Sequence, residues 1–172
     1  MEIPPLTPPK IGGEMKSLNV QTLRLYIMKI NNQKSPKKVM VFGVFDRLHP
    51  GHISFLEQAA ACGDELIAVV TRDIIVQELK KKMPLHKEEE RMQAVKNNSC
   101  VHNAVLGDAA LGLYDVIRER APDIICLGYD QHGLAQDLQS RMAYGEIASV
   151  KLAVMEPYNA DTLHTSLLTD VQ

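Results

Sequence analysis

The sequence predicts a doubly wound α/β domain built on a five-stranded parallel sheet, on three observations. Short β-branched runs alternate with amphipathic stretches along most of the chain. The first apolar run, Val39–Phe42, passes through a Gly-containing turn into a helix opened by Pro50. A second run, Asp64–Thr71, follows within about thirty residues, the length of a right-handed βαβ unit.

Val39–Phe42 carries apolar residues without alternation, as a strand covered on both faces does. Gly43 ends it and allows a ligand to approach the backbone closely. The helix that follows, Ile53–Ala59, has its C′ glycine at Gly63. After the second strand, Asp73 is placed to cap a short helix, Ile74–Leu79. Lys80-Lys81-Lys82 and Pro84 form a basic loop, and Glu88–Val95 is a helix with acids in its first turn. Val101–Leu106, Asp123–Gly128 and Val150–Met155 complete the strands. Helices are expected over Leu111–Arg120 (ended by Pro122), Leu134–Tyr144 and Thr165 to the terminus.

Residues 1–37 read as an N-terminal extension, disordered or a loose helix over Met15–Ile30, ahead of a domain spanning 38–172. Pro4, Pro5, Pro8, Pro9 and Gly12-Gly13 deny its opening regular structure. A docking arm is one reading of it. The favoured one is a native start at Met15 or Met28, which would leave it outside the native protein.

At 172 residues the chain can bury a substantial single core. A net charge of -2 gives no reason to expect a general nucleic-acid binder. No apolar run reaches membrane-spanning length, and no signal-peptide pattern opens the chain. Cys62, Cys100 and Cys126 are three, unpaired in spacing and set in or beside apolar runs, so they read as core residues of a reducing cytoplasm.

In a doubly wound sheet, ligands bind beyond the carboxyl ends of the strands where the strand order reverses. Three polar segments fall at such ends: Gly43–His52, Thr71–Asp73 and Gly128–His132. A strand feeding a helix N-terminus offers free N–H groups and a favourable dipole to phosphate. His49 and His52, three apart around Pro50-Gly51, can each donate an N–H to a phosphate oxygen. No Cys, Asp or Glu cluster completes a metal set with them. No Gly-x-Gly-x-x-Gly follows the first strand, which excludes a dinucleotide-dependent dehydrogenase.

Gly43-Val44-Phe45-Asp46-Arg47-Leu48-His49-Pro50-Gly51-His52 resembles the G-T-F-D-x-x-H-x-G-H signature of the cytidylyltransferase-like nucleotidyltransferases. That superfamily also holds pantetheine-phosphate adenylyltransferases and class I aminoacyl-tRNA synthetases, and the resemblance covers residues 38–172. Val44 replaces the threonine, removing one hydroxyl. Pro122–Gln131 looks like the matching segment of archaeal-type FAD synthases, where glycerol-3-phosphate cytidylyltransferases carry G-D-D-W. His164-Thr165-Ser166 approximates a His-Ser-Ser step of the same FAD synthases, while the arginine and glycine of the cytidylyltransferase R-T-x-G-I-S-T-T motif are missing.

The resemblance implies a Rossmann-like fold and attack of an acceptor phosphate on the α-phosphorus of a nucleoside triphosphate, ATP or CTP, with pyrophosphate release. His49, His52 and Lys80 would be catalytic. Gly43, Val44, Phe45, Arg91, Gly128, Asp130, Gln131, Thr165 and Ser166 would bind the nucleotide. Mg²⁺ would arrive mainly on the triphosphate, with Asp46 a candidate for its shell. Read from residue type alone, Lys80–Lys82 are also a solvated loop, and Arg91 a surface partner of Glu88. The best match is an FMN adenylyltransferase. The alternatives are a CTP-dependent cytidylyltransferase acting on a small phosphorylated alcohol such as glycerol 3-phosphate, and a nucleotide-binding module without turnover. A tRNA synthetase is excluded, since no Lys-Met-Ser-Lys-Ser-type loop or anticodon-binding region is present. A homodimer fits the resemblance, although no stretch isolates an interface.

Overall fold

The computed structural model describes residues 35–158, so the extension through residue 34 and the Thr165-Ser166 pair lie outside the described residues. In chain order the elements are β1 (Lys38–Gly43), α1 (Pro50–Ala60), β2 (Glu65–Val70), α2 (Asp73–Lys80) and α3 (Glu88–Lys96). Then come β3 (Asn103–Leu106), α4 (Asp115–Arg120), β4 (Ile124–Leu127), α5 (His132–Ala143) and β5 (Lys151–Val154). All strands pair in parallel, in the order β3-β2-β1-β4-β5. The order reverses between β1 and β4, which creates the crevice expected of this architecture.

The absence of alternation in the strands has a direct cause: both faces are covered. Val39, Val41, Ala68 and Val70 pack with Leu56 and Ala59 of α1 and Val95 of α3. Met40, Ile67, Val69 and Ile125 pack on the other face with Ile117 of α4 and Leu138 of α5. Cys126 is buried in the first of these layers, its thiol pushed up to about 12 by burial and by the neighbouring Cys62 thiol. It is packing material and not a nucleophile. Among the described residues no helix is long and apolar enough to cross a membrane.

Three local expectations are corrected. Gly63 does not end α1 in a left-handed conformation; the cap is Ala61, right-handed. A β-carbon at Gly63 would lie 2.6 Å from the Lys37 carbonyl oxygen and 2.6 Å from Val39, so this glycine serves close approach of the chain to β1. Gly63→Ala is expected to cost about 1–3 kcal/mol in a denaturant titration, because backbone must move; an unshifted midpoint would refute the contact. Helix α4 starts at Asp115, not Leu111, since Gly112 (φ 76°) and Tyr114 (φ 53°) are both left-handed.

Asp73, finally, is the first residue of α2 and not its cap. Its carboxylate accepts the Glu88 N–H (3.3 Å) at the start of α3, while Glu88 accepts the Asp73 N–H (2.7 Å). The two helix starts cap each other, which satisfies donors that a helix N-terminus leaves free.

Candidate active site

A cleft of about 950 Å³ opens over the carboxyl ends of β1, β2 and β4, at the point of strand reversal. It brings together most of the residues singled out in the sequence: Gly43, Val44, Phe45, His49, His52, Lys80, Gly128, Asp130 and Gln131 all line it. Lys81 and Lys82 do not.

The motif turn is built as a stack. Phe45 and Arg47 both take left-handed backbone (φ 52° and 55°), and this folds the Phe45 ring back under Gly43. A β-carbon on Gly43 would sit 2.7 Å from that ring, so the group that approaches Gly43 closely is Phe45 itself, not a ligand. The His52 ring meets Phe45 edge-on, with centroids 5.5 Å apart, and His49 stacks on His52 at 3.8 Å. Gly51 admits this, because a β-carbon there would come within 3.0 Å of His49. Non-glycine left-handed residues each cost on the order of 1–3 kcal/mol and persist only where packing overdetermines them.

His52 has its pKa lowered, first by burial and next by the charges of His49 and Lys80; the Arg47 carbonyl and Asp130 partly offset this. Its Nδ1 is buried without a hydrogen-bond partner among the described residues. A histidine whose folded pKa lies below its unfolded value of 6.5 binds fewer protons folded than unfolded. The resulting penalty is complete below the folded pKa and lifts as pH rises toward 6.5. The melting temperature of the native chain should therefore gain more between pH 5 and 7 than that of His52→Gln, by differential scanning calorimetry. Parallel pH profiles would contradict the burial of this ring.

Arg91 does not face the cleft. It is 1% exposed, and its guanidinium donates to the carbonyls of Val44, Thr71 (2.7 Å) and His86 (3.1 Å) and to Asp73 (2.6 Å). It joins the ends of β1 and β2 to the loop behind Lys80, a positioning role in place of the expected triphosphate contact. Glu88 pairs with Arg72 instead (3.0 Å). Nor is Asp46 free for a metal shell. Its oxygens accept the N–H groups of Leu85 (2.8 Å) and His86 (3.2 Å) and face His86 Nδ1 (3.0 Å). Burial would raise the Asp46 pKa, but these donors outweigh it and hold the carboxyl below its usual range. The Gln131 side chain is a strut as well, accepting from the Gly128 N–H (2.8 Å) and donating to the Phe42 carbonyl (2.8 Å). It ties β4 to β1 across the reversal.

The sequence reading missed the other end of the cleft. Phe42, Val69, Ile75, Leu79, Leu111 and Leu134 line it, with Tyr114 beside them. Leu111 and Leu79, 47% and 60% exposed, both line the cleft. The signal available was Leu111-Gly112-Leu113-Tyr114 after a strand end, hidden by its similarity to the start of a helix. The cleft thus has a polar end at the histidines and the α1 N-terminus, and an apolar end toward α4 and α5.

Comparison with known proteins adds a family pattern to this geometry. The cytidylyltransferase-like family model matches residues 40–167. An FAD synthase of Thermococcus sibiricus is 34% identical over 134 residues, which cover 78% of this chain and 90% of that protein. One of Archaeoglobus profundus is 38% identical over 138 residues, covering 78% and 87%. Among solved structures, the lipopolysaccharide core biosynthesis protein of Thermoplasma volcanium superposes with a TM-score of 0.67 at 36% identity, covering 73% of this chain and all of that one.

Proposed function

Because this chain belongs to the cytidylyltransferase-like nucleotidyltransferases, we propose that it is an FAD synthase, joining FMN to the adenylyl group of ATP. One observation carries the choice of acceptor: the cleft that holds the stacked histidines continues into an apolar end walled by Phe42, Leu111, Tyr114 and Leu134. A flat flavin ring fills such a wall, and glycerol 3-phosphate would leave it facing water.

In the reaction, an FMN phosphate oxygen attacks the α-phosphorus of ATP. The new P–O bond forms as the bond to the β-phosphate oxygen breaks, and pyrophosphate leaves. Positioning and charge stabilisation supply the catalysis, with no covalent enzyme intermediate. The N-terminus of α1 points its free N–H groups and dipole at the phosphates. His49 and His52 donate to oxygens whose charge grows in the transition state, and Lys80 balances the departing pyrophosphate. Val44 and Phe45 line the nucleotide path through their backbone, and Gly128 and Asp130 border it beyond β4. His52, neutral in the free protein at neutral pH, gains proton affinity when a polyanion arrives beside it.

No group of three metal-binding side chains exists among the described residues. Mg²⁺ would come in on the triphosphate, held by phosphate oxygens and water, and would neutralise phosphate charge. Asp130, exposed on the cleft wall, is the side chain we assign to its hydration shell. We place the reaction in the cytoplasm, in keeping with the free thiols of Cys62, Cys100 and Cys126.

Pyrophosphate release from ATP and CTP, each with FMN or glycerol 3-phosphate and Mg²⁺, tests this reading. Release with ATP and FMN alone is expected. Release with CTP and glycerol 3-phosphate would make the chain a cytidylyltransferase, and tight triphosphate binding with no release would make it a module without turnover.

A further inference from the structure

Among the described residues, five non-glycines hold left-handed backbone: Phe45, Arg47, Lys81, Tyr114 and Ala121. Phe45 and Arg47 belong to the motif turn, and Lys81 ends α2 just after Lys80. Ala121 ends α4, away from the cleft. Tyr114 is the one that lines the cleft without serving the phosphate chemistry. A strained residue at a cleft wall is kept in place by its surroundings, and its anchors show what the strain maintains.

The anchors here are specific. The Tyr114 ring packs in the core layer with Val69 and Leu134, and its hydroxyl donates to the Asp137 carboxylate on α5. Burial, and then Asp137, raise the phenol pKa, so it stays a donor throughout the physiological range. The Arg141 guanidinium lies 6.0 Å over the ring centre and is itself held by Asp137 (3.4 Å) and Glu146 (2.6 Å). The loop ahead of Tyr114 runs close against that guanidinium, for a β-carbon at Gly112 would lie 2.6 Å from Arg141 Nη2. Asp108 accepts the Val116 N–H (3.2 Å), and Arg72 donates to the Gly107 carbonyl (2.8 Å), which pins the loop where it leaves β3. These contacts tie the loop at the apolar end of the cleft to β3, α4 and α5.

Resting on the FAD synthase reading, we propose that Tyr114, braced by Asp137 and Arg141, is a specificity-determining residue for the acceptor. Its ring sets the position of the wall on which the flavin ring lies, and the hydroxyl bond to Asp137 fixes that position. A phosphorylated acceptor without a flat ring gains nothing from the wall. Selection among acceptors therefore resides in binding at this end, while the rate of transfer is set at the histidine end.

Steady-state kinetics of Tyr114→Phe and Asp137→Ala, with FMN and ATP varied in turn, test the assignment. Loss of one hydrogen bond to a charged carboxylate corresponds to about tenfold or more, so both variants should raise the KM for FMN by at least about that factor. The KM for ATP and kcat should stay within about twofold, the sensitivity such a comparison needs to separate the two ends. Asp137→Asn, which keeps an acceptor oxygen for the phenol, should recover most of the loss seen in Asp137→Ala. A purely structural role would not separate the two substrates. An unchanged KM for FMN, or equal rises for FMN and ATP, would overturn the assignment. Should Asp137→Ala fail to fold, Tyr114→Phe, which deletes only one oxygen, decides the matter. If the native chain makes no FAD from FMN and ATP, the functional reading itself fails and this assignment with it. If it does, and Tyr114→Phe binds FMN normally, the assignment alone fails.

Discussion

His52→Ala is expected to lower turnover by about 100-fold or more, the loss that follows removal of one preorganised donor to transition-state charge. The ring stands between Phe45 and His49 in a stack set by two left-handed residues, so no neighbour can take over its position. The lost rate should appear in kcat, since the interaction strengthens as charge develops on the phosphorus oxygens. Triphosphate binding to the variant, by titration calorimetry, checks that the site survives. A variant of ordinary rate would remove His52 from the mechanism and leave His49 and Lys80 to carry it.

Arg91→Met is expected to destabilise the domain by about 3–5 kcal/mol, the usual result of removing one partner from a buried ionic set. Methionine fills much of the space but leaves the Val44, Thr71 and His86 carbonyls and Asp73 without their donor. For a domain of this size the melting temperature should fall by about 10 °C or more. Arg91→Lys should rescue little, because one ammonium cannot reproduce a planar fork that meets carbonyls from three separate segments. A melting temperature within 2 °C of native would show that the clamp is replaceable, on the measurement scale that separates surface from core changes. Saturating ATP should narrow the deficit, since a ligand that binds the folded chain stabilises it by mass action.

His52 and Arg91 differ in how far the sequence reveals them. His49 and His52 are legible because their geometry is local: a strand, a turn and a helix start fix both rings within ten residues of Gly43. The doubly wound parallel sheet follows the same way from the alternation of strands and helices, and the place of the cleft from where the polar turns fall. Arg91 is not legible, because its neighbours Glu88, Glu89 and Glu90 spell a solvated helix face, and only the tertiary fold turns one side chain inward. Asp46 misled for the same reason, its partners lying about forty residues away, at Leu85 and His86. Gly43 announces that something comes close, but not that the visitor is Phe45, and Gly63 reads as a helix end where it in fact lets the chain approach the Lys37 carbonyl. At the apolar end of the cleft, Leu111 to Tyr114 resembles the start of a helix in sequence. Two left-handed residues, visible only in the fold, break it.

These errors share a pattern. The parallel sheet and the motif turn are legible, while the helix ends near Gly63 and Tyr114, the strut made by Gln131 and the long-range contacts of Arg91 and Asp46 are not. The acceptor end belongs to the second kind, since it draws residues from β1, β2, α2, the loop after β3 and α5. The transfer chemistry is thus legible in ten residues, whereas FMN as acceptor rests, within the sequence, on resemblance in the last third alone.

The central claim is that the α-phosphorus of ATP is attacked by the phosphate of a flavin bound across this cleft. Incubation of the full chain with FMN, Mg²⁺ and ATP radiolabelled at the α-phosphate tests it directly. The label is predicted to appear in FAD, with unlabelled pyrophosphate released in equal amount. Label retained in adenine nucleotide while FMN stays unchanged would contradict it.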